Sequence, residues 1–226
     1  MNASVIKVGG SLAAHPKKLR VLCRKLSEVS KKTKLIVVPG GGEFADVVRV
    51  LDKRFSLSRS TSHMMAVLAM DQYGLMLSNL IPNSQTINKL EEVNYFLDKE
   101  KVPVFLPSNL FLSEDPLENS WDVTSDSIAV YLAHRMQVHK VLLVTDVDGV
   151  CTDDPKTNPK ATLIKKLSAN DLLSMDKRTG LDKALPKLLL KFTVDCFVVN
   201  GLFPERVEKV LSGQDEVHTL ITSDLF

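Results

Sequence analysis

The chain has 226 residues, 44% hydrophobic and 25% charged, with 29 Lys plus Arg against 27 Asp plus Glu. That balance describes a globular protein with a core, sized for one large α/β domain or two lobes sharing one sheet. It excludes fibrous, disordered and disulfide-stapled classes. A net charge of +2 gives no general argument for nucleic acid or an anionic membrane as partner.

Ser4 to Val8 is a short β-branched run closed by Gly9-Gly10-Ser11, which predicts a buried strand. Residues 16–32 carry Leu19, Leu22, Cys23, Leu26 and Val29 at helical steps, with Pro16 near the start. Leu35 to Val38 reads as a second strand, stopped by Pro39 and three glycines, with a helix immediately after through Phe44, Val47, Val48 and Leu51. Residues 60–80 predict a Met- and Ala-rich helix, 88–99 a shorter one, 102–106 a strand and 107–121 a loop. Thr124 to Met136 is helical, Val141 to Thr145 a strand, and 146–160 a polar loop. Short helices follow at 169–175 and 183–192, a strand at 194–199, a helix at 204–212 and a last strand at 218–221. Strands and helices alternate without a linker or repeat, which predicts one α/β domain over 1–226, with a mainly parallel sheet and helices on both faces.

No apolar run approaches the ~18 residues of a spanning helix, and MNASVIKVGGSL has no signal-peptide pattern. Cys23, Cys151 and Cys196 are scattered and lack metal-ligand spacing, which predicts reduced thiols in a cytoplasmic setting.

Three strand ends carry candidate chemistry. In Lys7-Val8-Gly9-Gly10-Ser11, a lysine inside an apolar strand demands an anionic partner, and the glycines let backbone N–H groups approach a ligand. The pattern fits an anion cradle with a point charge; an edge lysine before a plain turn is the alternative. Gly40-Gly41-Gly42-Glu43-Phe44-Ala45 formally matches the dinucleotide GxGxxA fingerprint, but the second strand with its acid is missing, so a second phosphate cradle fits better than a Rossmann site. A structural turn is the other reading. Thr145-Asp146-Val147-Asp148-Gly149 ends a strand in acids, where open α/β sheets place ligands; Asp146 and Asp148 suit ribose, water-mediated Mg²⁺ or turn capping. GxxxxGK[ST], Ser-His-Asp and HExxH arrangements are absent, and of the five histidines only His63 stands out.

VIKVGGSL at 5–12, VVPGGGEFAD at 37–46, DVTSDSIAVYLA at 122–133 and LLVTDVDGV at 142–150 together resemble, in order, the motifs of the amino acid kinase family. The resemblance implies a three-layer αβα sandwich, with the acceptor side in the N-terminal part and the ATP side in the C-terminal part. It also implies γ-phosphoryl transfer from ATP, with Mg²⁺ held by the ATP phosphates and no direct protein ligand to the metal. On that resemblance Lys7 matches the transition-state lysine, and Gly9, Gly10 and Ser11 the loop around the transferred phosphoryl. Gly41 and Gly42 match the acceptor-side loop, and Asp126 the aspartate that holds the catalytic lysines. Thr145, Asp146, Asp148, Gly149 and Asp154 fall on the nucleotide side, Lys183 and Lys187 are both candidates for the second lysine, and Cys151 stands where relatives carry an aromatic near adenine.

AVLAMDQYG at 66–74, LDKALPKLL at 181–189 and VVNGLFPERV at 198–207 resemble a subgroup, the kinases of methanofuran biosynthesis, which convert an aminomethylfuran-methyl phosphate to a diphosphate. The resemblance then implies an acid facing the acceptor's ammonium, for which Asp71 and Asp182 are the candidates, with Asp122 a further substrate-binding candidate. Kinases of UMP, isopentenyl phosphate or an acyl carboxylate are alternatives, as is a non-catalytic nucleotide-binding or storage homologue. UMP is disfavoured because 60–74 lacks an obvious match to its acceptor motif, and isopentenyl phosphate because no histidine lies between Gly42 and Leu57. The expected partners are ATP, a small phosphorylated substrate and further copies of the chain, with helices such as 64–80 supplying the interface; no nucleic acid or membrane is expected.

Overall fold

A computed structural model describes residues 3–153, 157–175 and 179–223. In chain order the elements are β1 (Ala3–Val8), a 3₁₀ turn (Gly10–Ala14), α1 (Pro16–Val29), β2 (Lys34–Pro39), α2 (Gly42–Phe55), α3 (Arg59–Leu80), β3 (Ser84–Ile87), α4 (Glu92–Asp98) and β4 (Val102–Phe105). Then come α5 (Ser108–Glu114), α6 (Ser125–Arg135), β5 (Lys140–Thr145), β6 (Lys166–Ser168), α7 (Ala169–Ser174), α8 (Leu185–Phe192), β7 (Asp195–Asn200), α9 (Pro204–Leu211) and β8 (Thr219–Thr222). The strands join in the order β3-β4-β2-β1-β5-β7-β8-β6. Every pairing is parallel except β7 with β8, so crossover helices cover both faces and make an αβα sandwich.

The central strands are apolar because they are buried on both faces. Alternation along β1 splits the core. Val5 packs with α3, α5 and α6 through Val67, Phe111 and Ile128. Ile6 and Val8 pack with α1 and α9 through Leu22, Leu26 and Val207. The amphipathic pattern of α1 buries Leu19, Leu22, Cys23 and Leu26, with Pro16 pre-setting its first turn.

Several expectations change. The 107–121 loop contains α5, because Leu110 and Phe111 have a core face to bury. The polar strands β3 and β6 carry too few apolar residues to be seen without their neighbours. The helix expected at 88–99 begins only at Glu92. Cys23, Cys151 and Cys196 are free thiols; burial pushes Cys23 up to about 12 and Cys196 well above the ordinary range, which keeps both unreactive. Among the described residues no helix is long and apolar enough to cross a membrane.

Candidate active site

Lys7 lies two residues after Val5 in β1 and so shares its face, the one covered by α6. There its Nζ meets Asp126 Oδ1 at 2.7 Å, with Lys7 8% and Asp126 5% exposed. Asp126 stands in the first turn of α6, where free N–H groups and the helix dipole favour a negative charge. A buried pair of this kind is stable because each charge compensates the desolvation of the other.

Asp182 supports the pair from behind. Its Oδ2 accepts from the Thr124 amide at 2.9 Å, Thr124 Oγ1 at 3.1 Å and the Ser127 amide at 2.9 Å. Its Oδ1 accepts from Ser127 Oγ at 2.7 Å and the Leu185 amide at 2.8 Å. Asp182 thus caps α6 and ties it to the start of α8. Burial and the neighbouring Asp126 carboxylate push its pKa up to about 6, against the pull of those hydrogen bonds.

The two glycine loops meet above the lysine. A Cβ on Gly10 would lie 2.2 Å from the Gly42 nitrogen, so the loops abut only because Gly10 carries no side chain there. Gly42 also has φ of 56°, the left-handed region glycine enters without strain. Gly40 N donates to Val8 O at 2.8 Å and Tyr73 Oη donates to Gly9 O at 3.2 Å, which fix both loops to the sheet and to α3. On the other side Gly9 N donates to Val144 O at 2.7 Å, joining the first loop to the end of β5.

A chamber of about 480 Å³ opens over this junction, lined by Gly10, Ser11, Gly41, Gly42, Thr124 and Ser125 among others. A second, of about 310 Å³, adjoins it through shared walls at His63, Ala66, Trp121 and Val123. Trp121 Nε1 donates to Asp52 Oδ2 at 2.6 Å, and the Arg49 guanidinium lies 4.7 Å from the ring centroid. Arg49 also pairs with Asp46 at 2.9 Å.

Across the sheet, Thr145 Oγ1 donates to Asp146 Oδ1 at 3.2 Å, and Gly201 N donates to Thr145 O at 2.7 Å. Asp148 Oδ1 accepts from Asn200 Nδ2 at 2.8 Å and from Arg206 at 2.6 Å. Gly149 packs so closely on Thr219 that a Cβ would lie 2.3 Å from its Oγ1.

The fold therefore gathers Lys7, Gly9, Gly10, Ser11, Gly41, Gly42 and Asp126 at one place, and Thr145, Asp146, Asp148 and Gly149 at the neighbouring strand ends. Asp154 lies outside the described residues. Two acceptor-pocket candidates are engaged by protein donors. Asp182 has both carboxylate oxygens committed to protein donors, and Asp71 caps α5, accepting from the Ser108 amide at 3.2 Å and from its hydroxyl. Asp71 lines neither chamber. Burial raises its pKa while the Ser108 bonds pull it down. Asp122 is exposed, lines the second chamber and lies 3.4 Å from Lys183. Lys183 is 83% exposed and Lys187 is exposed on α8; among the described residues Asp126 pairs with Lys7 alone. Trp121, Arg49 and Arg206 were missed, because each reaches its site by long-range packing that no local motif marks.

A buried ammonium–carboxylate pair beneath two abutting amide loops, at the carboxyl ends of parallel strands, defines an α/β protein built to grip a phosphorylated ligand. The chain belongs to the amino acid kinase family, whose sequence model matches residues 2–196, and it is an ATP-dependent phosphotransferase. It is 36% identical over 217 residues to a [5-(aminomethyl)furan-3-yl]methyl phosphate kinase of Methanocaldococcus jannaschii, covering 96% of each chain. It is 21% identical over 231 residues to a uridylate kinase of Pyrococcus abyssi, covering 96% of this chain and 98% of that one. The crystal structure of the Archaeoglobus fulgidus uridylate kinase superposes with a TM-score of 0.77 at 22% identity, covering 97% of this chain and all of the other. The UMP kinase of Bacillus anthracis superposes with 0.78 at 22%, covering 99% and 97%. Both share the fold.

Proposed function

We propose that this kinase transfers the γ-phosphoryl of ATP to the phosphate of [5-(aminomethyl)furan-3-yl]methyl phosphate, giving a diphosphate in methanofuran biosynthesis. The observation that carries the acceptor is the 36% identity, spread over 96% of both chains, to the kinase of that name. The site geometry is in keeping with it. Phosphoryl transfer to a phosphate dianion brings like charges together, and two unit charges ~4 Å apart repel by roughly 4 kcal/mol at an effective dielectric near 20. Lys7 supplies a cation at the junction, and the two glycine loops supply N–H donors to the oxygens between donor and acceptor. Asp126 holds the Lys7 ammonium in place and is not required as a base, since the acceptor is ionised at neutral pH. Lys183, 3.4 Å from the chamber-lining Asp122, is better placed than Lys187 to serve as the second lysine. The Asp146 carboxylate, half-buried at the end of β5, would hold the water shell of an Mg²⁺ carried on the ATP phosphates, which would supply charge neutralisation there.

The nucleotide lies at the ends of β5 and β7, near Thr145, Asp148 and Gly149, and the acceptor lies over Gly41 and Gly42. The chain acts as one domain and works as a homo-oligomer. A screen with ATP, Mg²⁺ and the furan phosphate, UMP or isopentenyl phosphate, reading ADP, tests this. Turnover with the furan phosphate is expected. Turnover with UMP alone sinks the acceptor assignment, and no ADP with any of the three sinks this acceptor class altogether.

A further inference from the structure

The two adjoining chambers differ in character. The first offers backbone amides at Gly10, Gly41 and Gly42, suited to a phosphate. The second is lined by Asp52, Glu118 and Asp122 against one guanidinium, Arg59, which suits a cation. Between them stand Trp121 and His63, which face both. Trp121 is half-buried, with its indole N–H held by Asp52 at 2.6 Å and Arg49 against its ring. His63 is 7% exposed, yet its Nε2 has no hydrogen-bond partner among the described residues. A buried polar atom left unpaired carries a desolvation cost, so its occurrence in the wall of a chamber points to a ligand that completes it.

The carboxylates of the second chamber are not equivalent. Asp52 is occupied by the indole, and Asp122 has Lys183 at 3.4 Å. Glu118 is exposed and makes no ion pair among the described residues. A molecule with a phosphate at one end, a flat ring in the middle and an ammonium at the other matches this sequence of surroundings.

We infer that Trp121 and His63 seat the ring of the acceptor between the chambers, and that Glu118 receives its ammonium in the second chamber. This rests on the acceptor proposed above. The indole face covers the furan, and His63 Nε2 hydrogen-bonds the ring oxygen or its near substituent. Burial lowers the His63 pKa, so it meets the ring as a neutral imidazole. Asp52 acts as a positioning residue, holding the indole edge.

The test uses the full chain, ATP and Mg²⁺, with the furan phosphate and its analogue bearing methyl in place of aminomethyl. Trp121→Leu should raise the acceptor KM about tenfold and leave the ATP KM unchanged, and Trp121→Phe should restore most of it. Glu118→Gln should raise KM about tenfold for the amine-bearing acceptor and leave the methyl analogue unaffected. Trp121 is the only tryptophan, so acceptor without ATP should change the intrinsic fluorescence saturably. An unchanged acceptor KM in a folded Trp121→Leu, or equal effects of Glu118→Gln on both acceptors, would each overturn the inference. Failure of the parent to turn over the furan phosphate removes the acceptor reading and this inference together. An active parent with insensitive variants removes this inference alone.

Discussion

Lys7, Asp126 and Asp182 form a line of charge running from the site into the body of the protein, and its order explains what each substitution should do. Removing Lys7 strips a cation from the transfer point and also leaves Asp126 buried without a counter-charge beside Asp182. Lys7→Ala should therefore cost about a hundredfold in turnover, on the order of 3 kcal/mol, together with a fall in melting temperature. Lys7→Arg keeps the charge, and separates the two losses: it should retain stability while turnover stays low, as steady-state kinetics and thermal melts can report. Asp182 has a folded pKa of about 6 against 3.8 for the free side chain. The folded protein holds this proton more tightly than the unfolded chain, so the group's penalty is present above about 6 and is relieved as the pH falls toward 4. The unfolding free energy of the parent relative to Asp182→Asn should accordingly rise as pH is lowered from neutral, in denaturant melts at matched ionic strength. Asp182→Asn at neutral pH should itself destabilise, because an amide N–H then faces the donors of Thr124, Ser127 and Leu185.

Among the elements, the meeting of the two strand–glycine–helix turns decides whether a site exists. A methyl on Gly10 must displace the Gly42 backbone, and overpacking of this kind costs about 1–3 kcal/mol. Gly10→Ala should reduce turnover more than it reduces stability, because separating the loops removes the shared donors while leaving the sheet intact; comparing kcat with the urea midpoint checks this. Asp71 belongs to the same scale for a different reason. It closes the open N-terminus of α5 through Ser108, so Asp71→Ala should lower stability by about 1 kcal/mol and leave the acceptor KM unchanged. A shifted acceptor KM with unchanged stability would return Asp71 to the acceptor pocket.

For the whole molecule, the outer surface of α2 and α3 is the feature that a lone chain leaves unexplained. Val47, Val50 and Phe55 on α2 and Leu68 and Leu75 on α3 are between 44% and 64% exposed. A surface of this kind is the one expected to be covered when copies of the chain assemble. Val47→Glu should shift the protein to a smaller species in light scattering, whereas an unchanged mass would place the contact elsewhere. Because α2 carries Gly42 at one end and Asp52 near the other, assembly through this face would also brace the acceptor side of the site.

What the sequence by itself determined was the chemistry that is local along the chain. Lys7 two residues after Val5 in an apolar strand, glycines at the strand ends, an acid at the start of α6 and acids after β5 are all statements about near neighbours. The parallel sheet followed equally from the alternation of elements. What only the tertiary structure decided was which groups are already used. Asp71 and Asp182 are single acids in the sequence, indistinguishable from ligands, until folding brings Ser108 to one and Thr124 and Ser127 to the other. Trp121 was hidden in a stretch that reads as loop, and β3 and β6 take their pairing from strands elsewhere in the chain. Hydrogen bonds and ion pairs act over a few ångströms, and residues 183 or 69 positions apart become neighbours only when the chain has closed on itself.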